Sequence, residues 1–205
     1  MRKGKFITID GVEGAGKSTQ IDLICKHLYE KGIKVVRTRE PGGTEVGEKI
    51  RSVLLDVENQ AMHSDTELLL MFSSRNELIQ NKIVPSLNDG YWVVSDRFTD
   101  ASFAYQGGGR MLNLDRIAEL EDWVLGDFKP DLTVLLDVSV EVGMARIEAR
   151  AAKDRIELEE REFFERVRSV FIRRSETFPE RIKLIDASGA VDDIHSKIRA
   201  LIDSL

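Results

Sequence analysis

The sequence predicts an α/β fold with three layers, in which a five-stranded parallel sheet is flanked by helices. Short runs rich in β-branched and aromatic residues alternate along the chain with longer runs that repeat at the helical period. Only four of the 205 residues are proline, and no linker rich in glycine, serine or proline divides the chain. We therefore expect a single domain over residues 1–205.

The expected elements alternate from one end of the chain to the other. The strands are residues 6–9, 34–38, 91–95, 132–136 and 181–185. The helices are residues 17–31, 44–57, 65–87, 113–125, 140–151, 159–178 and 192–201. Gly32 follows the first helix as a C-cap, and Ser139 caps the helix that begins at residue 140. In a parallel sheet of this kind, ligands bind at the carboxyl ends of the strands, so the functional residues should gather at that edge.

Composition and charge exclude several classes of protein. The hydrophobic (42%) and charged (32%) fractions are typical of a soluble globular chain. A formal net charge of −6 argues against binding to a nucleic-acid duplex. The longest apolar run, residues 68–72, is too short to cross a membrane, and residues 1–5 lead into a strand without a signal-peptide core. We expect a cytoplasmic location and no membrane partner, and the single Cys25 can form no internal disulfide.

The strongest signal is a phosphate-binding loop, GVEGAGKS at residues 11–18, which fits G-x-x-x-x-G-K-[ST]. It lies between an expected strand and an expected helix, and it predicts a P-loop NTPase-type fold that binds a nucleoside triphosphate with Mg²⁺, without separating a kinase from a GTPase or a motor. Lys17 would contact the β and γ phosphates and the Ser18 hydroxyl would bind Mg²⁺. Glu13 is either a ligand of a substrate hydroxyl, a water-mediated metal contact or a solvated loop residue. The expected ATP-binding residues are Gly11, Val12, Glu13, Gly14, Ala15, Gly16, Lys17, Ser18 and Thr19.

Asp96 and Arg97 directly follow the third expected strand. A carboxylate at this point is placed to bind Mg²⁺ directly or through water, and the adjacent arginine can bind a phosphate with two hydrogen bonds. Asp137, which ends the fourth strand, is the rival metal ligand. The alternative for Asp96 and Arg97 is a salt-bridged strand end or a helix cap.

Arg75 lies on an otherwise apolar helix face, together with Leu68, Met71, Phe72 and Ile79. A charged group on such a face is costly unless it is paired. Arg75 therefore either meets the polar edge of a ligand, or extends to solvent or pairs with an acid such as Asp96.

A basic stretch precedes the long helix, with Arg146, Arg150, Lys153 and Arg155 interrupted by alanines. The absence of large apolar residues among them predicts an exposed, mobile segment, and we expect a lid at about residues 146–157. In a phosphoryl-transfer enzyme such a segment closes over ATP and supplies an arginine to the transferred group. The alternative is a solvated helix face.

Taken together, these residues resemble the bacterial thymidylate kinases over nearly the whole chain. Besides the phosphate loop, the resemblance rests on TREPGGT at 38–44, DRF at 96–98, AYQGGGR at 104–110, KPDL at 129–132 and DRIE at 154–157. It implies the reaction ATP + dTMP → ADP + dTDP with Mg²⁺. A related P-loop kinase is disfavoured by Arg75 and Tyr105, and a GTPase switch by the lack of an Asn-Lys-x-Asp motif.

The resemblance also implies roles for individual residues. Glu13 would approach the 3′-hydroxyl of dTMP, Arg97 would bind its phosphate and Arg75 would contact the thymine carbonyl edge. Tyr105 would lie where a 2′-hydroxyl clashes. The implied substrate-binding residues are Glu13, Arg39, Arg51, Met71, Phe72, Arg75, Arg97, Ser102, Tyr105 and Gln106. The implied catalytic residues are Lys17, Arg97, Arg150 and Glu13, and the implied metal ligands are Ser18 and Asp96.

One position departs from the family pattern. Members of the family often have phenylalanine four residues before the arginine that Arg75 matches, where this chain has Met71. Either Met71 covers the thymine ring or Phe72 takes that place. The resemblance further implies a homodimer.

Overall fold

The computed structural model describes residues 3–148 and 154–205. Its five strands form one parallel sheet in the order β2-β3-β1-β4-β5. The strands are β1 (Phe6–Asp10), β2 (Val35–Arg39), β3 (Trp92–Asp96), β4 (Leu132–Asp137) and β5 (Ile182–Asp186). Each expected strand is found with its ends shifted by at most one residue, and the predicted α/β fold is confirmed.

Helices cover the sheet. They are α1 (Lys17–Glu30), α2 (Glu45–Leu55), α3 (Ser64–Leu78), α4 (Val84–Asn88), α5 (Thr99–Ser102), α6 (Leu114–Leu125), α7 (Val140–Glu148), α8 (Arg161–Thr177) and α9 (Val191–Ile202). Two π-helical segments, Ile79–Ile83 and Phe103–Gly109, and a 3₁₀ turn at Val57–Asn59 complete them. No helix among the described residues is long and apolar enough to cross a membrane.

The helix expected at residues 65–87 is divided by a π-helical turn between α3 and α4. Pro85 lies in the first turn of α4 and explains the division. Proline has no N–H, and its ring clashes with the carbonyl four residues earlier. The turn before it is therefore π-helical, with backbone hydrogen bonds that span five residues instead of four.

The segment from α5 through Gly109 is helical, although the sequence analysis predicts no helix there. Three consecutive glycines disfavour a helix by propensity, but Gly107 lets α6 approach closely, and Gly108 and Gly109 do the same for α8. A Cβ on Gly109 would lie 2.4 Å from the ring of Phe163, and one on Gly108 would lie 2.9 Å from the carbonyl oxygen of Arg166. Tertiary packing therefore overrides local propensity and brings Tyr105 and Gln106 to the sheet edge.

The core lies on both faces of the sheet. α8 contributes an apolar stripe to it, in which Phe163, Phe164, Val167, Val170 and Phe171 are buried. Beneath β1, the rings of Phe6 and Phe98 meet edge to face with centroids 4.9 Å apart. Phe98 directly follows Asp96 and Arg97, so this packing fixes the end of β3 where the candidate site begins.

Candidate active site

A cleft of about 1610 Å³ lies at the carboxyl edge of the sheet. It is bounded by the phosphate loop, the ends of β2 and β3, α3 and the α5 segment. Of the predicted residues, Glu13, Gly14, Ala15, Gly16, Lys17, Ser18, Thr19, Arg39, Arg51, Met71, Arg75, Asp96, Arg97, Ser102, Tyr105 and Gln106 line this cleft. Gly11, Val12 and Phe72 are not among its lining residues, and Arg150 lies outside the described part of the chain.

The phosphate loop joins β1 to α1 through backbone conformations that favour glycine. Gly14 has φ 74°, and a Cβ there would lie 2.3 Å from the carbonyl oxygen of Gly143. Gly16, with φ 91°, is the N-cap of α1 and has no side chain to cover the first N–H groups of the helix. Those free donors and the positive end of the helix dipole form an anion site at the cleft floor.

Lys17 is held inside the loop. Its Nζ donates hydrogen bonds to the carbonyl oxygens of Gly11 and Val12, at 3.1 and 2.9 Å. Burial, and the neighbouring positive charge of Arg97, lower the pKa of Lys17 to about 8. Gly11 and Val12 thus contribute by holding the lysine in place through their carbonyl oxygens, and they do not line the cleft themselves.

Asp96 is better placed than Asp137 to bind a metal ion. Both oxygens of Asp137 accept hydrogen bonds from Arg168, at 2.7 and 2.8 Å. In contrast, Oδ1 of Asp96 is buried and has no hydrogen-bond partner among the described residues. No group of three or more His, Cys, Asp or Glu side chains in residues 3–148 and 154–205 could hold a metal ion.

Asp10, at the end of β1, is fully buried, and neither of its carboxylate oxygens has a partner within the described residues. Burial, aided by the negative charge of Asp100, raises its pKa to about 8.

Arg97, Glu13 and Tyr105 form one cluster in the middle of the cleft. Arg97 Nη2 lies 2.6 Å from Glu13 Oε1, and the hydroxyl of Tyr105 donates to Glu13 Oε2 at 2.5 Å. The Arg97 guanidinium stacks 4.6 Å from the centre of the Tyr105 ring. The backbone of Arg97 has φ 72°, a strained conformation for a non-glycine residue and one that is concentrated at functional sites. Glu13 is therefore an oriented group, not a solvated loop residue.

Arg75 is almost fully buried and pairs with Glu40, not with Asp96 as considered from the sequence. Its Nε and Nη2 lie 2.8 and 2.7 Å from Glu40 Oε2. Its other contacts are hydrogen bonds to Ser102 Oγ and to the carbonyl oxygen of Phe98, both at 3.1 Å. Burial raises the pKa of Glu40, and the charge of Arg75 opposes that rise.

Met71 and Phe72 occupy different positions. Met71 lines the cleft, whereas Phe72 is buried, with its ring centre 4.6 Å from the Arg75 guanidinium. Of the two alternatives left open by the sequence, Met71 therefore faces the ligand space and Phe72 supports Arg75 from behind.

Two further arginines lie at the rim of the cleft. Arg39, at the end of β2, is half exposed and pairs with Glu48 at 2.8 Å. Arg51, in α2, donates to the carbonyl oxygen of Pro41 at 2.8 Å. Burial, followed by repulsion from the charge of Arg39, lowers the pKa of Arg51. The two guanidinium groups therefore lie near enough to each other at this rim to interact.

The expectation of an exposed segment is wrong at Arg155. This side chain is buried, and its Nε donates to the carbonyl oxygen of Leu54 at 2.8 Å. Its Nη2 donates to Glu67 at 2.5 Å. Arg146 is exposed and donates to the carbonyl oxygen of Gly14 at 2.8 Å. Residues 149–153, including Arg150 and Lys153, lie outside the described residues.

Among the buried carboxylates to which the sequence analysis gave no role, Glu40 and Glu67 bind residues that line the cleft. Glu40 lies within the TREPGGT segment and received no role, and Glu67 lies in α3 four residues before Met71. A usable signal existed for Glu67, because its helical spacing puts a second charged residue on the face that carries Met71 and Arg75.

The fold and this cleft define a P-loop phosphotransferase, with a phosphate loop on one side and a separate arginine-lined pocket on the other. The thymidylate kinase family model matches residues 9–198, and the chain belongs to the thymidylate kinase family. It is therefore a kinase, and the predictions of family and enzyme class are confirmed.

Individual relatives match this chain over nearly its full length. The chain is 63% identical over 205 residues to a thymidylate kinase of Vesicomyosocius okutanii, covering 100% of both chains. It is 49% identical over 203 residues to that of Nitrosomonas europaea, covering 99% of this chain and 94% of the relative. The crystal structure of thymidylate kinase from Ehrlichia chaffeensis is similar, with a TM-score of 0.80, 33% identity and 98% coverage of both chains.

Proposed function

We propose that this protein transfers the γ-phosphoryl group of ATP to dTMP, giving ADP and dTDP. The observation that carries the proposal is one cleft in which a phosphate loop meets a second pocket that contains Arg97, Tyr105 and Arg75. Two ligands bound there would have their phosphates directed toward each other across Arg97. Alignment of donor and acceptor is the main requirement of phosphoryl transfer.

ATP would bind with its phosphates at the N-terminus of α1 and beside Lys17. Ser18 and Asp96 fit Mg²⁺, because both line the cleft next to the loop and Asp96 Oδ1 is buried without a partner among the described residues. The bound ion would neutralise charge on the phosphate oxygens. Lys17 would stabilise the charge of the transferred group from the protein side.

The acceptor would extend from Arg97 to Arg75. Its phosphate would bind Arg97, and its sugar would lie beside the hydrogen-bonded pair of Glu13 and Tyr105. Its base would meet Arg75, Ser102 and Gln106, with Met71 against the ring. A phosphate oxygen of dTMP is already an anion and attacks the γ phosphorus directly, so the reaction requires no strong general base.

Several assignments stay predictions. Arg39 and Arg51 would add positive charge on the phosphate side of the acceptor. Arg150 would supply the catalytic charge from a lid at about residues 146–157. The homodimer and the cytoplasmic location are likewise predictions, and light scattering after size exclusion would measure the oligomeric state.

The testing experiment is an ADP-release assay with MgATP and one acceptor at a time. The acceptors are dTMP, its ribose analogue, dUMP, dCMP, AMP and GMP. We expect strong turnover with dTMP, weak turnover with dUMP and none when EDTA removes Mg²⁺. Strong turnover with a different monophosphate would overturn the acceptor assignment, and turnover in EDTA would overturn the metal assignment.

A further inference from the structure

Glu67 of α3 is fully buried and collects hydrogen bonds from three side chains. Its Oε1 accepts from Gln106 Nε2 at 2.8 Å. Its Oε2 accepts from Arg155 Nη2 at 2.5 Å and lies 3.1 Å from Arg110 Nη2. Arg110 also pairs with Glu159 on its other side. A residue of α3 thus joins the α5 segment to the chain at residues 154–157.

The two arginines keep Glu67 ionised. Burial by itself raises the pKa of this carboxyl, but the hydrogen bond from Gln106 and the charges of Arg110 and Arg155 outweigh burial and lower it. An ionised carboxylate has no proton to donate, so all of its neighbours must present donors.

This requirement fixes the amide of Gln106. Its NH₂ group must point to Glu67, because its carbonyl oxygen would be repelled there. Gln106 lines the cleft, so the oxygen of the same amide is the group left to meet a bound base. Thymine and uracil have a donor, N3–H, between their two carbonyls, whereas cytosine has an acceptor at N3 beside an amino donor.

We propose that Glu67 is a positioning residue that fixes the hydrogen-bonding polarity of Gln106 and thereby selects bases with an N3–H group over cytosine. The inference rests on the proposed function. Glu67 touches no substrate and acts through Gln106. Arg155 holds the carboxylate in place, since it is itself tied to the Leu54 carbonyl of α2.

The variant Glu67→Gln tests the polarity. Its amide has one oxygen and one NH₂. Arg155 donates to Oε2 alone and so requires the oxygen on that side, whereas Nε of Arg110 lies 3.3 and 3.2 Å from Oε1 and Oε2 and can keep its bond to the same oxygen. The new NH₂ would then face Gln106, which must turn its own oxygen toward residue 67. Gln106 would then present an NH₂ group to the cleft instead of an acceptor oxygen. This donor would face the N3–H donor of thymine unfavourably, but it could donate to the N3 acceptor of cytosine.

The measurement is the KM for dTMP and the competitive inhibition constant of dCMP, whose ratio reports base selectivity. We expect Glu67→Gln to reduce selectivity for dTMP by about 10- to 100-fold, the range that follows from a buried donor or acceptor left unpaired. The KM for ATP should change by less than about twofold, because no contact of Glu67 reaches the phosphate loop. An unchanged selectivity ratio in a folded Glu67→Gln enzyme overturns the proposal.

Glu159→Gln is the matched control. It weakens the same network through Arg110 but leaves the acceptor of Gln106 in place, so selectivity should stay at the wild-type value. Equal loss of selectivity in both variants would overturn the proposal, because the network would then affect selectivity only by maintaining the structure of the pocket. In a Gln106→Met background, Glu67→Gln should have no further effect on the ratio, and a full further loss there would overturn the route through Gln106.

Two results separate this inference from the proposed function. Wild-type turnover with dTMP tests the function by itself, whereas the selectivity ratio of the variants tests Glu67. If Glu67→Gln does not fold, Glu67→Asp keeps the charge for the arginines but withdraws the oxygen from Gln106. Reduced selectivity in Glu67→Asp supports the proposal, and wild-type selectivity overturns it.

Discussion

Replacement of Arg75 by alanine would remove one side of a buried ion pair. Glu40 would keep its carboxylate in the protein interior without the guanidinium that lies 2.7 Å away. Breaking such a pair costs about 3–5 kcal/mol, because the remaining charge is desolvated and uncompensated. For a chain of this length that loss corresponds to a fall of about 6–20 °C in the thermal midpoint. Folded proteins have about 5–15 kcal/mol to lose, so we expect a folded but less stable variant.

The same variant should separate the two substrates. Arg75 lies in the acceptor half of the cleft, where it is hydrogen-bonded to Ser102, and its hydrogen bonds go to Glu40, Ser102 and Phe98 rather than to the phosphate loop. The KM for dTMP should therefore rise by at least about tenfold, while the KM for ATP should change little. The ADP-release assay measures both constants. Equal increases in the two would refute the role of Arg75 at the base.

The pH dependence identifies the source of the lost stability. Burial raises the folded-state pKa of Glu40 above the ordinary value of 4.5, and removal of Arg75 would raise it further. Above pH 4.5, the folded variant then binds more protons than the unfolded chain, so its stability falls as the pH rises toward the folded-state pKa. The stability difference between wild type and variant should be smaller at pH 5 than at pH 8, with a slope of at most about 1.4 kcal/mol per pH unit.

Denaturant titrations at several pH values measure this difference. The control repeats the Arg75→Ala substitution in a Glu40→Gln background. The stability difference between the double variant and Glu40→Gln alone should not depend on pH, because neither protein has a carboxyl at position 40. A stability loss in Arg75→Ala that is the same at pH 5 and pH 8 would show that Glu40 is not its cause.

Three further predictions concern the rest of the site. Since the pKa of Lys17 is about 8, MgATP should bind with uptake of a proton and more weakly as the pH rises from 7 to 9. Calorimetry in two buffers of different ionisation enthalpy measures the number of protons taken up on binding. If the affinity of Lys17→Met for MgATP fell as steeply with pH, Lys17 would not be the group that takes up the proton. Tyr105→Phe should raise the KM for dTMP about fivefold, the value of one hydrogen bond to Glu13, with little change in thermal midpoint. Gly109→Ala should destabilise by about 1–3 kcal/mol because its Cβ would lie 2.4 Å from a ring of α8, whereas Gly189→Ala, with open space, should be neutral in the same thermal scan.

The sheet could be predicted because its signals are local. Each strand is a short run rich in apolar or β-branched residues, and the loop motif at 11–18 carries its own glycines and lysine. Parallel order then brings the ends of β1 and β3 together, where Ile9 pairs with Asp96. The prediction that Asp96 and Arg97 lie at the functional edge follows from this topology alone.

The partners of the buried charges could not be predicted, because they are distant in the sequence. Arg75 and Glu40 are 35 positions apart, and Arg155 and Glu67 are 88 apart. Local composition, an arginine among alanines, indicated exposure for Arg155, whereas a single distant carboxylate is enough to bury it. The helical conformation of Phe103–Gly109 was missed for a related reason, since its glycines are explained by the close approach of α6 and α8, which are distant in the sequence.

These long-range pairs have one effect in common on the acceptor pocket. Arg75 is held by Glu40, Gln106 by Glu67, and Glu13 by Arg97 and Tyr105. Each of these three groups is therefore oriented by a partner from another element before any ligand binds, which lowers the entropy lost on binding. Because Glu40 and Glu67 share no hydrogen-bond partner, substitutions at the two should combine additively in binding energy. Preorganisation of this kind costs stability through buried charge, which explains why so many ionised side chains are enclosed around a pocket for a small base.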